Sequence, residues 1–187
     1  PYPNVFPQRW TSRNWERHWS SLQETAFTTL EVGVTAGAIA LFLVVGCLEN
    51  EQWRRFRFTF GSQWLLYLPL LIPQATFLLG IQILAVRLEM DGTFLLLVWS
   101  HLLFVLPYIF LSLADPWRNL DERFPKIGQC LGASPIKILF RIKLPLLLKP
   151  LLVAVAIGFA VSVAQYLPTL FAGGGRFATL TTEAVSY

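Results

Sequence analysis

Four long apolar runs constrain this chain more than any other feature. They lie at about residues 26–48, 63–86, 93–113 and 146–170, and about 20 apolar residues suffice for a helix to cross the hydrocarbon core of a bilayer. Inside that core each backbone amide must be satisfied by the chain itself, so runs of this length are expected as helices. A hydrophobic share of 55%, a charged share of 14% and a mean hydropathy of +0.54 exclude an ordinary soluble domain. The 187 residues allow one domain. The expected fold class is therefore an all-α membrane protein, a polytopic helical bundle.

Charge then orients it. With four spans, Arg54, Arg55, Arg57, Arg118, Arg123, Lys126, Lys137, Arg141, Lys143 and Lys149 fall on one side, and Arg9, Arg13, Arg17, Arg87 and Arg176 on the other. The positive-inside rule places the richer side in the cytoplasm and both termini outside. Residues 1–25 become an extracytoplasmic lead-in, 26–170 the membrane domain, 114–145 a cytoplasmic loop, and 171–187 an extracytoplasmic tail. In the lead-in, Trp10, Trp15 and Trp19 alternate with arginines, as at a membrane interface. Aromatic-basic interleaving also suits single-stranded nucleic acid, but nearly all charges here flank apolar spans, so the expected partner is the lipid bilayer and no nucleic acid. The chain opens on Pro1 without an initiator Met or an apolar leader, as an excised or processed segment would. Cys47 and Cys130 are too few and too differently placed for a disulfide framework or a metal site, and no cofactor is expected.

Polar residues inside the spans are the candidates for function. Glu31 near the start of the first span, and Gly33-x-x-x-Gly37 after it, suggest respectively an intramembrane acid and a close helix approach. Pro69 and Pro73 must kink or interrupt the second span, freeing carbonyls that need water or neighbours. Gln74 and Gln82 on that span are either path-lining or interhelical hydrogen-bond donors. His101 in the third span reads as hydrogen-bonded packing or, alternatively, a proton relay. In the fourth, two rows of small residues, Ala154, Gly158, Ser162 and Ala156, Ala160, Ala164, predict close packing on both sides. Gln165 and Tyr166, beside Pro168, are further path-lining candidates. Gly173-Gly174-Gly175 lacks the strand and the Lys-Ser/Thr pair of a phosphate loop and is expected as a flexible loop.

The interval from Asp115 to Pro150 is the polar stretch between the last two spans. Gly132 can end one short helix, Ser134 can N-cap the next and Pro135 suits its first position. Ile136, Leu139 and Phe140 then share one helical face while Lys137 and Arg141 stand on another, until Pro145 ends the helix. Two short helices joined by a tight turn at a membrane surface are expected.

This pattern resembles the cytoplasmic "EAA" loop of ABC-importer permeases, best those of the thiamine and ferric-iron type. Gly132 matches the family glycine, and Ile142, Leu144 and Pro145 match its Ile-x-Leu-Pro ending at the family spacing. Lys126, Ile127 and Gly128 stand where the family has Glu-Ala-Ala. The resemblance covers the chain from about Leu22 onward and implies a fold of the type I ABC-importer permease kind (MetI-like), in a bacterial inner membrane. It implies a further span beyond residue 187, so the chain looks truncated there. It also implies that Gly132, Ala133 and Ser134 meet a cytoplasmic ATP-binding subunit, two copies per transporter, while an extracytoplasmic solute-binding protein delivers cargo to this half and a second permease half, fused or separate. Either Asp121 and Glu122, one turn before Lys126, supply the anion of the missing loop glutamate, or this half couples weakly beside a better-matched one. No catalytic residue is expected, since the phosphate-loop motif is missing. The alternatives are a membrane-embedded enzyme, for which Glu31 and His101 are the ionisable candidates, or an ion-coupled secondary transporter, which calls for more intramembrane charge.

Overall fold

The computed structural model describes residues 13–54 and 60–186, and all regular elements among them are helical. The expectations resting on Arg9, Trp10, Arg55 and Arg57 lie outside the described residues.

Helix α1 runs unbroken from Arg13 to Arg54. From residue 13 the lead-in and the first apolar run form one continuous helix, with no glycine or proline between Arg13 and Gly33. Its inner face repeats every three or four residues: Thr25, Thr29, Val32, Ala36, Ala40, Val44, Leu48 and Glu51 are all buried. Glu31 falls off this stripe and is exposed.

Helix α4 (Phe94–Arg118) is the hub, packed on α1, on the helix pair α2 (Phe60–Leu71) and α3 (Gln74–Arg87), and on α8 (Leu148–Val163) and α9 (Tyr166–Gly173). Thr93 caps its start by accepting a hydrogen bond from Leu96 N at 3.2 Å. It continues to Arg118, so the first residues assigned to the loop, 114–118, form its last turn. Val105, Ile109, Leu113 and Trp117 fill the centre against Ala40, Val44 and Leu48 of α1 and Ala154 of α8. Small residues permit the α4–α8 approach: a Cβ on Gly158 would stand 2.6 Å from Ile109 Cδ1. The row Ala154, Gly158, Ser162 is buried there as expected, whereas Ala156, Ala160 and Ala164 are exposed. Only one of the two small rows packs within the described chain. Likewise a Cβ on Gly33 would meet Phe159 of α8 at 2.9 Å, while one on Gly37 would meet nothing within 4 Å.

Proline breaks two of the apolar runs. Pro73 lacks an amide hydrogen and holds Ile72 away from helical geometry, and the α2–α3 pair bends by 107° there. The run at 146–170 is not one helix. Were α8 to continue, the Pro168 ring would clash with the Ala164 carbonyl, so the chain turns extended at Gln165 (φ −80°, ψ 98°) and α9 starts afresh. A second bend, of 80°, separates the helical stretch Pro135–Leu146 from α8. Helices α1 and α4 are each long and apolar enough to cross a membrane, and the two bent pairs meet the same test when each is taken together.

Gly174 and Gly175, at φ +54° and +74°, reverse the chain after α9. A Cβ at Gly174 would lie 3.2 Å from Gly92 Cα in the α3–α4 turn. Beyond the glycines the tail is not a free loop: it folds into helix α10 (Leu180–Ser186). This helix is pinned by Leu180 N donating to Thr29 Oγ1 (2.9 Å), Ser21 Oγ donating to Glu183 Oε1 (2.9 Å) and Thr181 Oγ1 donating to the Val163 carbonyl (3.0 Å).

Candidate functional site

At one end of the bundle, helix α5 (Arg123–Cys130) and helix α6 (Pro135–Ile138) form the expected pair. Gly132 (φ +74°) takes the left-handed position that closes α5. Gly132 N donates to the Gln129 carbonyl (2.9 Å) and Ala133 N to the Gly128 carbonyl (3.0 Å), the two bonds of a Schellman stop. Ser134 Oγ then accepts from Lys137 N at 3.4 Å, with Pro135 in the first turn. Gly128 lets the pair close: a Cβ there would stand 2.9 Å from Ile142 Cδ1. Beyond α6 the helix widens into a π turn, Leu139–Lys143, and ends with α7, Leu144–Leu146. It thus passes Pro145 by one residue before breaking at Leu147.

The inward face of this second helix is not the apolar set that α-helical spacing selects. Ile138 and Lys143 are buried, while Ile136 and Phe140 are 70% and 64% exposed. With Phe124, Ile127 and Leu131, also exposed, they give the outside of the turn an apolar surface. Lys137 and Arg141 are exposed beside them. Both acids expected to replace the loop glutamate are engaged locally. Glu122 accepts from Lys126 Nζ at 2.6 Å, and Asp121 Oδ1 accepts from Arg123 N at 2.9 Å.

Beneath the turn the loop is tied to α1 and α4. Lys143 Nζ donates to Glu49 Oε2 (2.6 Å) and Gln52 Oε1 (2.7 Å), Arg118 Nη2 donates to Glu51 Oε2 (3.1 Å), and Gln52 Nε2 donates to the Trp117 carbonyl (3.0 Å). These bonds place the C-terminal end of α1 and the loop at the same end of the molecule. A cleft of about 500 Å³ opens among Gln52, Arg118, Glu122, Lys126 and Lys143.

A second cleft, of about 580 Å³, lies where the two proline-broken runs meet. Pro69 and Pro73 line one wall, Val161 and Ala164 another, with Tyr108 and Phe104 of α4 between them. Gln74 and Gln165 both face this cleft. Gln82 and Tyr166 are not among its lining residues: Gln82 Nε2 donates instead to Asp91 Oδ1 (2.8 Å), and Tyr166 is half-buried. Behind Gln165 is a buried polar knot. His101 Nδ1 lies 2.9 Å from Ser162 Oγ, His101 Nε2 lies 3.0 Å from Thr169 Oγ1, and Gln165 Nε2 donates to the His101 carbonyl at 3.4 Å. His101 is 1% exposed and holds α8 and α9 to α4, as hydrogen-bonded packing does. Sequence reasoning passed over Tyr108, Lys143 and the hydroxyls of Ser162 and Thr169. The spacing of Ser162, Gln165 and Thr169 at three and four residues was the available signal.

Among curated proteins, the chain is 44% identical over 163 residues to the inner membrane ABC transporter permease protein YnjC of Escherichia coli (strain K12). It is 24% identical over 151 residues to the putrescine transport system permease protein PotI, and 24% over 169 residues to the spermidine/putrescine transport system permease protein PotC, both of the same strain. These matches cover 87%, 78% and 89% of this chain but 30%, 54% and 63% of the relatives, so it spans less than two thirds of each. No family model matches the chain. The relatives are transport permeases by name, in keeping with an all-α membrane fold that is short relative to them.

Proposed function

We propose that this chain is a permease segment of an ABC importer in a bacterial inner membrane, lining part of the solute path and coupling it to a cytoplasmic ATPase. The observation that carries this is the 44% identity to an inner membrane ABC transporter permease over 87% of the chain. Two structural features support it. The Gly132–Ser134 turn projects at one end of the bundle with the exposed apolar residues Ile127, Leu131, Ile136 and Phe140 around it, a surface suited to a groove on a partner subunit. The 580 Å³ cleft lies at two helix breaks, the place where broken membrane helices expose backbone groups to a passing solute.

In this reading the turn docks on the ATP-binding subunit, two of which serve the complete transporter. Their ATP-driven approach moves α4, α8 and the broken pair α2–α3 against one another, and opening alternates between the two faces. An extracytoplasmic binding protein delivers cargo, and a second permease half, fused or separate, completes the path. Gln74 and Gln165 are the path-lining residues. Glu122 and Lys126, already paired, meet the ATPase as a neutral couple.

The test is co-expression of the full-length permease with its ATP-binding subunit. Gly132→Arg is expected to abolish co-purification of the ATPase, or transport. If neither changes, the docking assignment is wrong.

A further inference from the structure

Lys143 is a charged side chain that is 2% exposed, and the fold goes to some length to bury it. In an α-helix, residues five apart point about 140° away from each other, so Ile138 and Lys143 would not share a face. They do share one here because the turn Leu139–Lys143 is π-helical, with Leu144 N–H bonded to the Leu139 carbonyl. Pro145 favours the wider turn. In an α-helix its ring would collide with the Arg141 carbonyl, and widening the turn relieves that clash without ending the helix.

The widened turn delivers the Lys143 ammonium to the far end of α1. Nζ donates to Glu49 Oε2 at 2.6 Å and to Gln52 Oε1 at 2.7 Å, and it lies 5.8 Å from the centre of the Trp53 ring. The other Glu49 oxygen accepts from Trp53 Nε1 at 2.6 Å, so the carboxylate is held on both sides. Stability alone is a poor reason for such a pair, since well-packed apolar residues serve a buried position at least as well. What the pair does supply is register: one fixed position of the loop helix along α1.

We propose that Lys143 is the positioning residue that locks the loop to α1, so that a push on the Gly132 turn moves the long helix rather than only bending the loop. This rests on the docking reading given above. The exposed turn receives the force, the π turn holds the lysine inward, and Glu49 and Gln52 pass the displacement to α1 and through it to the α4 interface. Without the lock the ATPase still docks on an intact outer surface, but its work does not reach the path.

The experiment uses the full-length permease, co-expressed with its ATPase and binding protein and reconstituted in vesicles, with solute transported per ATP hydrolysed as the readout. Lys143→Met is expected to retain ATPase co-purification and to lower that ratio at least fivefold. Pro145→Ala, which lets the turn relax to α-helix and swings Lys143 away, is expected to do the same. The double variant Glu49→Leu/Lys143→Met leaves no unpaired charge, so it is expected to keep the wild-type melting temperature and still show the low ratio. A merely structural pair predicts the opposite, a lowered melting temperature in Lys143→Met that the double variant restores together with a normal ratio, and that result would overturn the proposal. Failure of the wild-type permease to hold its ATPase would instead overturn the docking reading.

Discussion

His101 Nε2 and Thr169 Oγ1 lie 3.0 Å apart, and the hydrogen between them belongs to the histidine. The threonine hydroxyl has already given its own hydrogen to the Gln165 carbonyl at 3.0 Å, so toward His101 it can only accept. A neutral imidazole with its proton on Nε2 has an acceptor at Nδ1, and Ser162 Oγ donates there at 2.9 Å. The order of donors therefore runs Ser162 to His101 to Thr169 to Gln165, tying α8, α4 and α9 with one tautomer. Interhelical hydrogen bonds in membranes are worth about 0.6 kcal/mol on average and up to about 1.7. Thr169→Val and Ser162→Ala are each expected to cost within that range, and His101→Leu more than either, because it removes both interhelical bonds at once and leaves Ser162 Oγ without its acceptor. Thermal melting of the purified protein in detergent checks the ranking.

The α4–α8 seam predicts an asymmetry between two glycine- and alanine-lined rows of one helix. Gly158→Val forces atoms into the space of Ile109, where even a Cβ would come within 2.6 Å, and over-packing of this kind costs about 1–3 kcal/mol. Ala160→Val, on the exposed row, is expected to leave the melting temperature of the isolated chain unchanged. If both rows behaved alike, the seam assigned to α8 would be wrong.

These contrasts mark what the sequence makes legible. The helical character of the apolar runs, the break at Pro73 and the Gly132-Ala133-Ser134-Pro135 turn act locally, through chain length, a missing amide hydrogen or a left-handed residue, and they appear in the fold where their residues stand, whereas Pro69 stays inside α2. What could not be read are the effects in which a local cause acts at a distance. Pro168 looks like the neighbour of a polar cluster, yet its clash with the Ala164 carbonyl splits the run at 146–170. Pro145 looks like a helix stop, yet it widens a turn and buries Lys143, inverting the face expected from Ile136 and Phe140. Glu49, Gln52 and Lys143 have no shared pattern, being brought together only when α1 lies along the loop. Gln74 and Gln165 join for the same kind of reason, because two independent breaks open on one cleft, while Gln82 sits too far down α3 to reach it.

At the proposed docking turn the expected effect is one of backbone rather than contacts. Nothing lies within 4 Å of a Cβ built on Gly132, so substitution there is not blocked by space. The cost is conformational: a β-branched residue at φ +74° loses about 1–2 kcal/mol. Gly132→Val is therefore expected to unwind the Schellman stop and reduce ATPase co-purification, whereas Gly132→Asn, which tolerates the left-handed region, retains most of it. A co-purification assay on the two variants side by side separates strain from mere bulk.

The exposed Lys126–Glu122 pair bears on how the loop meets its partner. An i, i+4 ion pair in water contributes about 0.3–0.5 kcal/mol, so Lys126→Ala/Glu122→Ala should leave stability nearly unchanged. If the acids stand in for the missing loop glutamate, Asp121→Ala/Glu122→Ala weakens ATPase association and Lys126→Ala, which removes the opposing positive charge, strengthens it. Unchanged association in both would remove the acids from the docking surface. Binding of the purified ATPase subunit to permease in detergent, measured at low and high salt, distinguishes these outcomes.

Gln165 carries the sharpest prediction about the path. Its amide nitrogen is committed to the His101 carbonyl, and its Oε1 is buried with no hydrogen-bond partner among the described residues while the side chain lines the cleft. Leaving a buried acceptor unpaired costs about 1–3 kcal/mol, and in the proposed path a donor arriving from the cleft would pair with this one. Gln165→Leu keeps the bulk and removes the acceptor. It is expected to lower transport at least tenfold while the ATPase still co-purifies, since the docking turn lies at the other end of α8. Gln82→Leu, which loses only its bond to Asp91 outside the cleft, should transport as the wild type does. Should Gln82→Leu be the defective variant and Gln165→Leu the normal one, the path would run along the outer face of α3 and not between the two helix breaks.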